Sequence, residues 1–160
     1  MAERHIPTRE EILAAQGRII PDLAAPNLSI LFCGINPGLY SGAVGHHFAR
    51  PGNRFWPVLH AAGFTERILS PYEEHELLER GYGITNLVER ATAGAEALSR
   101  TEIMEGGRRL TTKILRYRPR FTAFLGIGAY RVAFGSPRAA PGEQDQRIGR
   151  TRIWVLPSPS

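Results

Sequence analysis

Three short segments, "LSILFCG" (28–34), "FTAFLG" (121–126) and "RIWVLP" (152–157), are apolar over most of their length and run straight into glycine or proline. A strand with one wet face alternates polar and apolar residues; a strand covered on both faces does not. Each segment is also too short for a core helix. "GITNLV" (83–88) adds a further short strand. Helical segments lie between them. "TREEILAAQGRII" (8–20) opens with Thr8 as an N-cap ahead of acidic residues, "NRFWPVLHAAG" closes at Gly63, and "PYEEHELLERG" has Pro71 near its start and Gly81 after its end. "SRTEIMEGGRRLTTKILRYRP" (99–119) is the strongest helix. Ser99 and Glu102 make a capping box, apolar residues recur at Ile103, Leu110 and Ile114, and Pro119 ends it. Gly106-Gly107 in its middle costs about 1 kcal/mol per glycine relative to alanine, so close packing is expected there. "IGAYRVAFG" (127–135) is a short helix. Strands of this kind alternating with helices predict an α/β fold, three layers deep, with a central mostly parallel sheet and helices on both faces.

A chain of 160 residues, 42% hydrophobic and 22% charged, predicts one globular domain over 1–160 that buries roughly 70% of its unfolded surface. No run reaches the ~18 apolar residues of a membrane span. The N-terminal "MAERHIPTREE" lacks the apolar core of a secretory signal, and the expected location is the cytoplasm. The single cysteine, Cys33, excludes an intramolecular disulfide and any Cys-held zinc or iron–sulfur centre. The net charge is +5, carried almost wholly by arginine, with Lys113 the one lysine. That balance suits a polyanionic partner, because the guanidinium fork matches phosphate; an Arg- and Ala-rich codon composition gives the same balance.

In open parallel sheets, ligands bind beyond the carboxyl ends of the strands. "GINPG" (34–38), "GIG" (126–128) and "PSPS" (157–160) each follow a strand directly and are expected to meet at one rim. "GIG" matches only the start of a dinucleotide fingerprint, since Arg131 stands where the third glycine belongs. Cys33, inside an apolar strand, reads as core. His46-His47 reads as loop, without a nearby carboxylate to complete a metal site, and no metal is expected. Glu73 and Glu76 read as a solvated helix face.

The constellation that remains is "CGINPGLYSGAVGHHFARPGNRFW" (33–56). It is accompanied in order by "LVERAT" (87–92), "LS" (98–99), "EGGRRL" (105–110), "LGIGAY" (125–130) and "IWVLPSPS" (153–160). Together these resemble the mismatch-specific uracil-DNA glycosylases, close relatives of the thymine-DNA glycosylases, within the uracil-DNA glycosylase superfamily. The resemblance implies a uracil-DNA glycosylase-like α/β/α fold without a cofactor. It also implies hydrolysis of the N-glycosidic bond of a base flipped out of the duplex, uracil (with thymine and etheno-type adducts as further candidates) mispaired with guanine in double-stranded DNA. The protein is expected to act as a monomer.

By the same resemblance, Asn36 orients the attacking water, Phe48 stacks on the base, backbone groups around Ile35 and Gly38 read its edge, and Ser41 lies close to it. Ser158 stands where the superfamily's most active members carry a histidine, and Asn36 where they carry an acid. An amide can orient water but cannot take its proton, so slow turnover that depends on a weakened pair is expected. Glu89 or Glu96, in a segment bordering the site, is a candidate auxiliary carboxylate. Family members continue past the last motif with a Gly-Leu-x-Arg-like wedge and a terminal helix; the sequence closes at Ser160, before that segment, which bears on DNA affinity and leaves the catalytic assignment untouched. The residues taken singly also allow a non-catalytic α/β module that binds a nucleotide or lesion, and "GIG" alone allows a dinucleotide-dependent enzyme.

Overall fold

The computed structural model describes residues 4–160. Met1, Ala2 and Glu3, the start of the segment read above as lacking a secretory signal, lie outside the described residues. Five strands form one sheet in the order β2-β1-β3-β5-β4. β1 (Ile30–Gly34) sits between β2 (Tyr82–Asn86) and β3 (Phe121–Leu125), and β5 (Thr151–Leu156) flanks β3, all parallel. β4 (Gly142–Ile148) is the antiparallel edge. The three strands read from apolar runs carry their burial on both faces. Phe32, Ile84 and Ala123 point into one core with Phe55, Trp56, Leu59 and Leu77. Cys33, Phe124 and Val155, one residue further along, point into a second core with Leu110, Ile114 and Tyr130. The three-layer α/β/α architecture follows from that period of two.

The helices are α1 (Arg9–Ala14), α2 (Leu39–Val44), α3 (Phe55–Ala61), α4 (Glu76–Glu79), α5 (Arg100–Tyr117) and α6 (Ile127–Ala133). α5 begins at the expected capping box, Ser99 with Glu102, and closes with Arg118 in the left-handed region just before Pro119. Its glycine pair is close-packed as expected: a Cβ on Gly106 would stand 2.3 Å from the Leu87 carbonyl oxygen, and one on Gly107 would stand 2.6 Å from that of Ala133. Thr8 caps α1 by accepting from the Glu11 amide, but the helix stops at Ala14, short of the expected span, and Gly17 takes φ +82° after it.

Three elements depart from the sequence reading. The loop expected from Ile35 to Gly52 contains α2, disguised by Gly42 and Gly45; a Cβ on Gly42 would meet that of Ala91 at 2.9 Å, and Gly45 is the left-handed cap. The helix expected in "PYEEHELLERG", with Gly81 after its end, is broken into a 3-10 turn, Pro71–Glu73, and α4, because Glu74 between them turns inward. The edge strand β4 was invisible to hydrophobic pattern. Its sequence, "GEQDQRI", has no apolar face, and backbone pairing with β5 and a two-bond Glu143–Arg152 contact define it.

Among the described residues, no helix is long and apolar enough to cross a membrane.

Candidate active site at the carboxyl rim of the sheet

A cavity of about 730 Å³ opens at the carboxyl ends of β1 and β2, and Ile35, Asn36, Gly38, Ser41, Phe48 and Ser158 all line it. Thus the residues singled out in "GINPG", in the segment after it and in "PSPS" share one cavity. "GIG" does not take part as expected. Leu125 reaches the cavity, while Gly126 lies beneath it, its Cβ position 3.0 Å from Ile35 Cδ1 and its amide donating to the Leu156 carbonyl at 2.9 Å.

The "GINPG" turn is clamped to the chain that follows β2. The Leu87, Val88 and Thr92 amides donate to the Gly34, Ile35 and Pro37 carbonyls, extending the β1–β2 ladder beyond the strands. Asn36 completes the clamp. Its Nδ2 donates to the Arg90 carbonyl at 3.0 Å and to Thr92 Oγ1 at 2.7 Å, with a longer 3.2 Å contact to the Pro37 carbonyl. The Thr92 hydroxyl donates onward to the Gly94 carbonyl at 2.8 Å. Carbonyls only accept, so this network fixes the amide with Nδ2 inward. Oδ1 enters none of these bonds and is the atom left for a ligand or water. Arg90 is itself held by Glu102 at the start of α5 through two 3.0 Å bonds. The guanidinium beside it, with the Ser99 amide, holds the Glu102 carboxyl below its usual range.

Phe48 stacks on Phe55 with centroids 4.2 Å apart, and its ring edge stands 3.1 Å from the Cβ position of Gly34. Its backbone has φ +51°, an uncommon conformation for an aromatic residue that costs about 1–3 kcal/mol and has to be enforced by its surroundings. The peptides on both sides are pinned. The His47 carbonyl accepts from Trp56 Nε1 at 3.2 Å, the His47 amide donates to Glu74 at 2.8 Å, and the Ala49 amide donates to Ser41 Oγ at 3.0 Å. Ser41 is therefore a loop anchor whose hydroxyl already holds backbone. The same is true of the histidine pair. Contrary to the sequence reading a carboxylate is nearby: Glu74, 4% exposed, contacts His46 Nδ1 at 3.1 Å as well as the His47 amide. Glu73 and Glu76, in contrast, lie on the surface and share Arg67.

Gly38 has φ −75°, available to any residue, and a Cβ there would meet nothing within 4 Å. The backbone does not demand glycine; its effect is to leave cavity space open. The closing motif is tied to the other wall, where the Arg54 amide donates to the Pro159 carbonyl at 3.0 Å and its guanidinium to the Ser160 carbonyl at 3.1 Å. Ser158 Oγ contacts Ser160 Oγ at 2.8 Å. Phe55 and Trp56 are core, each 3% exposed. Cys33 is core too, and burial pushes its thiol well above the usual range.

Asn86 and Thr92 are among the cavity residues that sequence reasoning did not single out. Asn86, 7% exposed, ends β2 directly opposite Gly34, and its Oδ1 stands 2.8 Å from the Gly34 Cβ position. An amide at the end of an otherwise apolar strand was the available signal. Thr92, 1% exposed, orients Asn36; it lay within the quoted "LVERAT" without a role. Of the two candidate auxiliary carboxylates, Glu96 borders the cavity, whereas Glu89 faces Lys113 at 3.5 Å. A model of the uracil DNA glycosylase superfamily matches residues 21–160, and the chain belongs to that superfamily of DNA-repair glycosylases.

Proposed function

We propose that this glycosylase is of the mismatch-specific type and removes uracil paired with guanine in double-stranded DNA, acting without a cofactor through a water oriented by Asn36. The observation that carries the reading is the fixed Asn36 amide. With Nδ2 committed to the Arg90 carbonyl and to Thr92, a free carbonyl oxygen is presented in the same cavity as a stacking ring. That oxygen accepts a hydrogen bond from water and aims a lone pair of the water at the sugar carbon of a base stacked on Phe48. Asn86 supplies a donor and an acceptor for the pyrimidine edge.

An amine-based mechanism finds no support. The chain's one lysine, Lys113, lies 2.7 Å from Asp22 and also contacts Thr85 and Glu89, and it does not line the cavity. The reaction is then monofunctional: water attacks, the N-glycosidic bond breaks, uracil leaves with the bonding pair, and an abasic site remains. An amide is a poor base, and Ser158 is no substitute for a histidine that supports the negative charge on the departing uracil. The rate therefore leans on the substrate. A G·U pair lowers the cost of flipping, which is a few kcal/mol for a sound pair.

The test is a labelled duplex with a single G·U pair, incubated with the protein and then treated with alkali. Strand cleavage at the uracil, faster for G·U than for A·U, is expected. Retention of the duplex without cleavage would make the chain a lesion-binding module instead.

A further inference from the structure

The buried imidazole of His47 has both ring nitrogens engaged, while Glu74 and Trp56 hold the same loop through its backbone. His47 Nε2 lies 2.9 Å from the Pro21 carbonyl oxygen. A carbonyl cannot donate, so Nε2 carries the proton, and in the uncharged ring Nδ1 is an acceptor. Nδ1 faces Asn86 Nδ2 across 3.5 Å, a long contact whose polarity is nonetheless determined. Only the amide's nitrogen end satisfies it; an oxygen turned toward Nδ1 would set two acceptors against each other. His47 is 2% exposed and Asn86 7%, so a wrong orientation between them has little access to water for compensation.

We infer that His47 is a positioning residue that locks the direction of the Asn86 amide and thereby makes the cavity select a uracil-type over a cytosine-type base edge. Uracil presents an acceptor at C4 and a donor at N3; cytosine presents the reverse. With Nδ2 held toward His47, its second hydrogen serves an acceptor and Oδ1, above the Gly34 floor beside the Phe48 edge, serves a donor. This is the complement of uracil. Cytosine would require the amide to turn over, against the Nδ1 lone pair. An asparagine without this partner turns freely and reads both bases. The Pro21 carbonyl thus acts at second hand, choosing the tautomer that chooses the amide. The inference rests on Asn86 contacting the base, as proposed above.

The test compares single-turnover excision of 5-fluorouracil and 5-fluorocytosine, each opposite guanine in the same duplex. This matched pair differs in substituents only at the edge in question, and its difference in leaving-group ability cancels when the ratio is compared between variants. The same comparison is made for affinity, using uncleavable 2′-fluoroarabino versions of uracil and cytosine. Three variants of the full chain are needed. His47→Gln keeps a group near Nε2 but none at Nδ1. His47→Asn keeps one near Nδ1. Asn86→Ala removes the reader. We expect His47→Gln to lower the uracil-to-cytosine ratio at least tenfold, chiefly by admitting cytosine, and His47→Asn to restore most of it. A damaged fold would slow both bases alike and leave the ratio in place. If Asn86→Ala collapses the ratio while His47→Gln leaves it within threefold of the parent in both measurements, the role assigned to His47 is wrong and that of Asn86 stands. If Asn86→Ala itself leaves the ratio unchanged, the reading of Asn86 fails and this inference with it.

Discussion

Asn36 Nδ2 and Thr92 Oγ1 lie 2.7 Å apart, and because the Thr92 hydroxyl gives its own proton to the Gly94 carbonyl, the amide is the donor between them. A residue 56 positions away thus decides which atom of Asn36 meets the cavity. Removing the side chain removes both the clamp and the free oxygen. Asn36→Ala is expected to slow single-turnover excision from a G·U duplex at least tenfold, about 1.4 kcal/mol of barrier, while duplex affinity stays nearly constant. A smaller loss would mean that Asn36 does not hold the water.

Asn36→Asp tests the orientation itself. A carboxylate oxygen in place of Nδ2 would face the Arg90 carbonyl where the parent has a 3.0 Å hydrogen bond. Thr92 could turn to donate, but Gly94 would then lose its partner. Leaving an acceptor unpaired in a half-buried site costs about 1–3 kcal/mol, or ~2–4 °C of melting temperature per kcal/mol for a chain of this size. A melting temperature several degrees lower in calorimetry is expected. An unchanged value would show that the amide is free to turn over.

Phe48 joins a strained backbone to a stacked ring, so loss of the ring is expected to act on binding as well as on rate. Phe48→Leu should weaken affinity for an uncleavable uracil analogue opposite guanine by about 1–3 kcal/mol, the usual worth of base–aromatic stacking. Equilibrium titration decides; equal affinities would leave Phe48 as packing for Phe55 alone.

What the sequence disclosed and what it hid divide along physical lines. Burial on both faces is written into each of Phe32, Phe124 and Val155 and their neighbours, so β1, β3 and β5 were legible, as was α5 from Ser99 and Glu102. β4 has backbone pairing without an apolar face, and a hydrophobic pattern carries no trace of it. The cavity residues of the "GINPG" motif were legible because they are contiguous. Thr92 and Asn86 were not, because their role comes from β2 lying beside β1 in register, Gly34 against Asn86, a relation that exists only in the folded sheet. Glu74 was hidden for the same reason: only folding brings it to His46 and His47.

Gly106 and Gly128 make opposite forecasts from the same helix propensity. Alanine is favoured over glycine within a helix by about 1 kcal/mol. At Gly128 a Cβ meets nothing within 4 Å, so Gly128→Ala should raise the melting temperature. At Gly106 the Cβ would lie 2.3 Å from the Leu87 carbonyl oxygen, and overpacking against backbone typically costs about 1–3 kcal/mol. Gly106→Ala should therefore lower the melting temperature, and because Leu87 adjoins Asn86 it should also slow excision. Stabilisation by both substitutions would show that α5 can move away from β2 at little cost.

The last prediction concerns the proton that Asn36 cannot take. Water held by Oδ1 must lose a proton as it adds to the sugar, and the Thr92 hydroxyl is already committed to Gly94. Glu96 borders the cavity with no hydrogen-bond partner among the described residues, its carboxylate 2.3–2.6 Å from the Cβ position of Gly94. It is the acidic side chain on that wall able to receive the proton or to offset positive charge building on the sugar. Glu89 lies on the other side of the segment and is occupied by Lys113. The two substitutions separate a local role from a general effect of negative charge. Glu96→Gln should slow single-turnover excision about tenfold or more, as removal of a positioned base does, with duplex affinity equal or slightly higher because a charge that repels phosphate is gone. Glu89→Gln should leave the rate within about twofold. Equal losses from both would reduce the effect to long-range electrostatics, and no loss from Glu96→Gln would leave bulk water to take the proton.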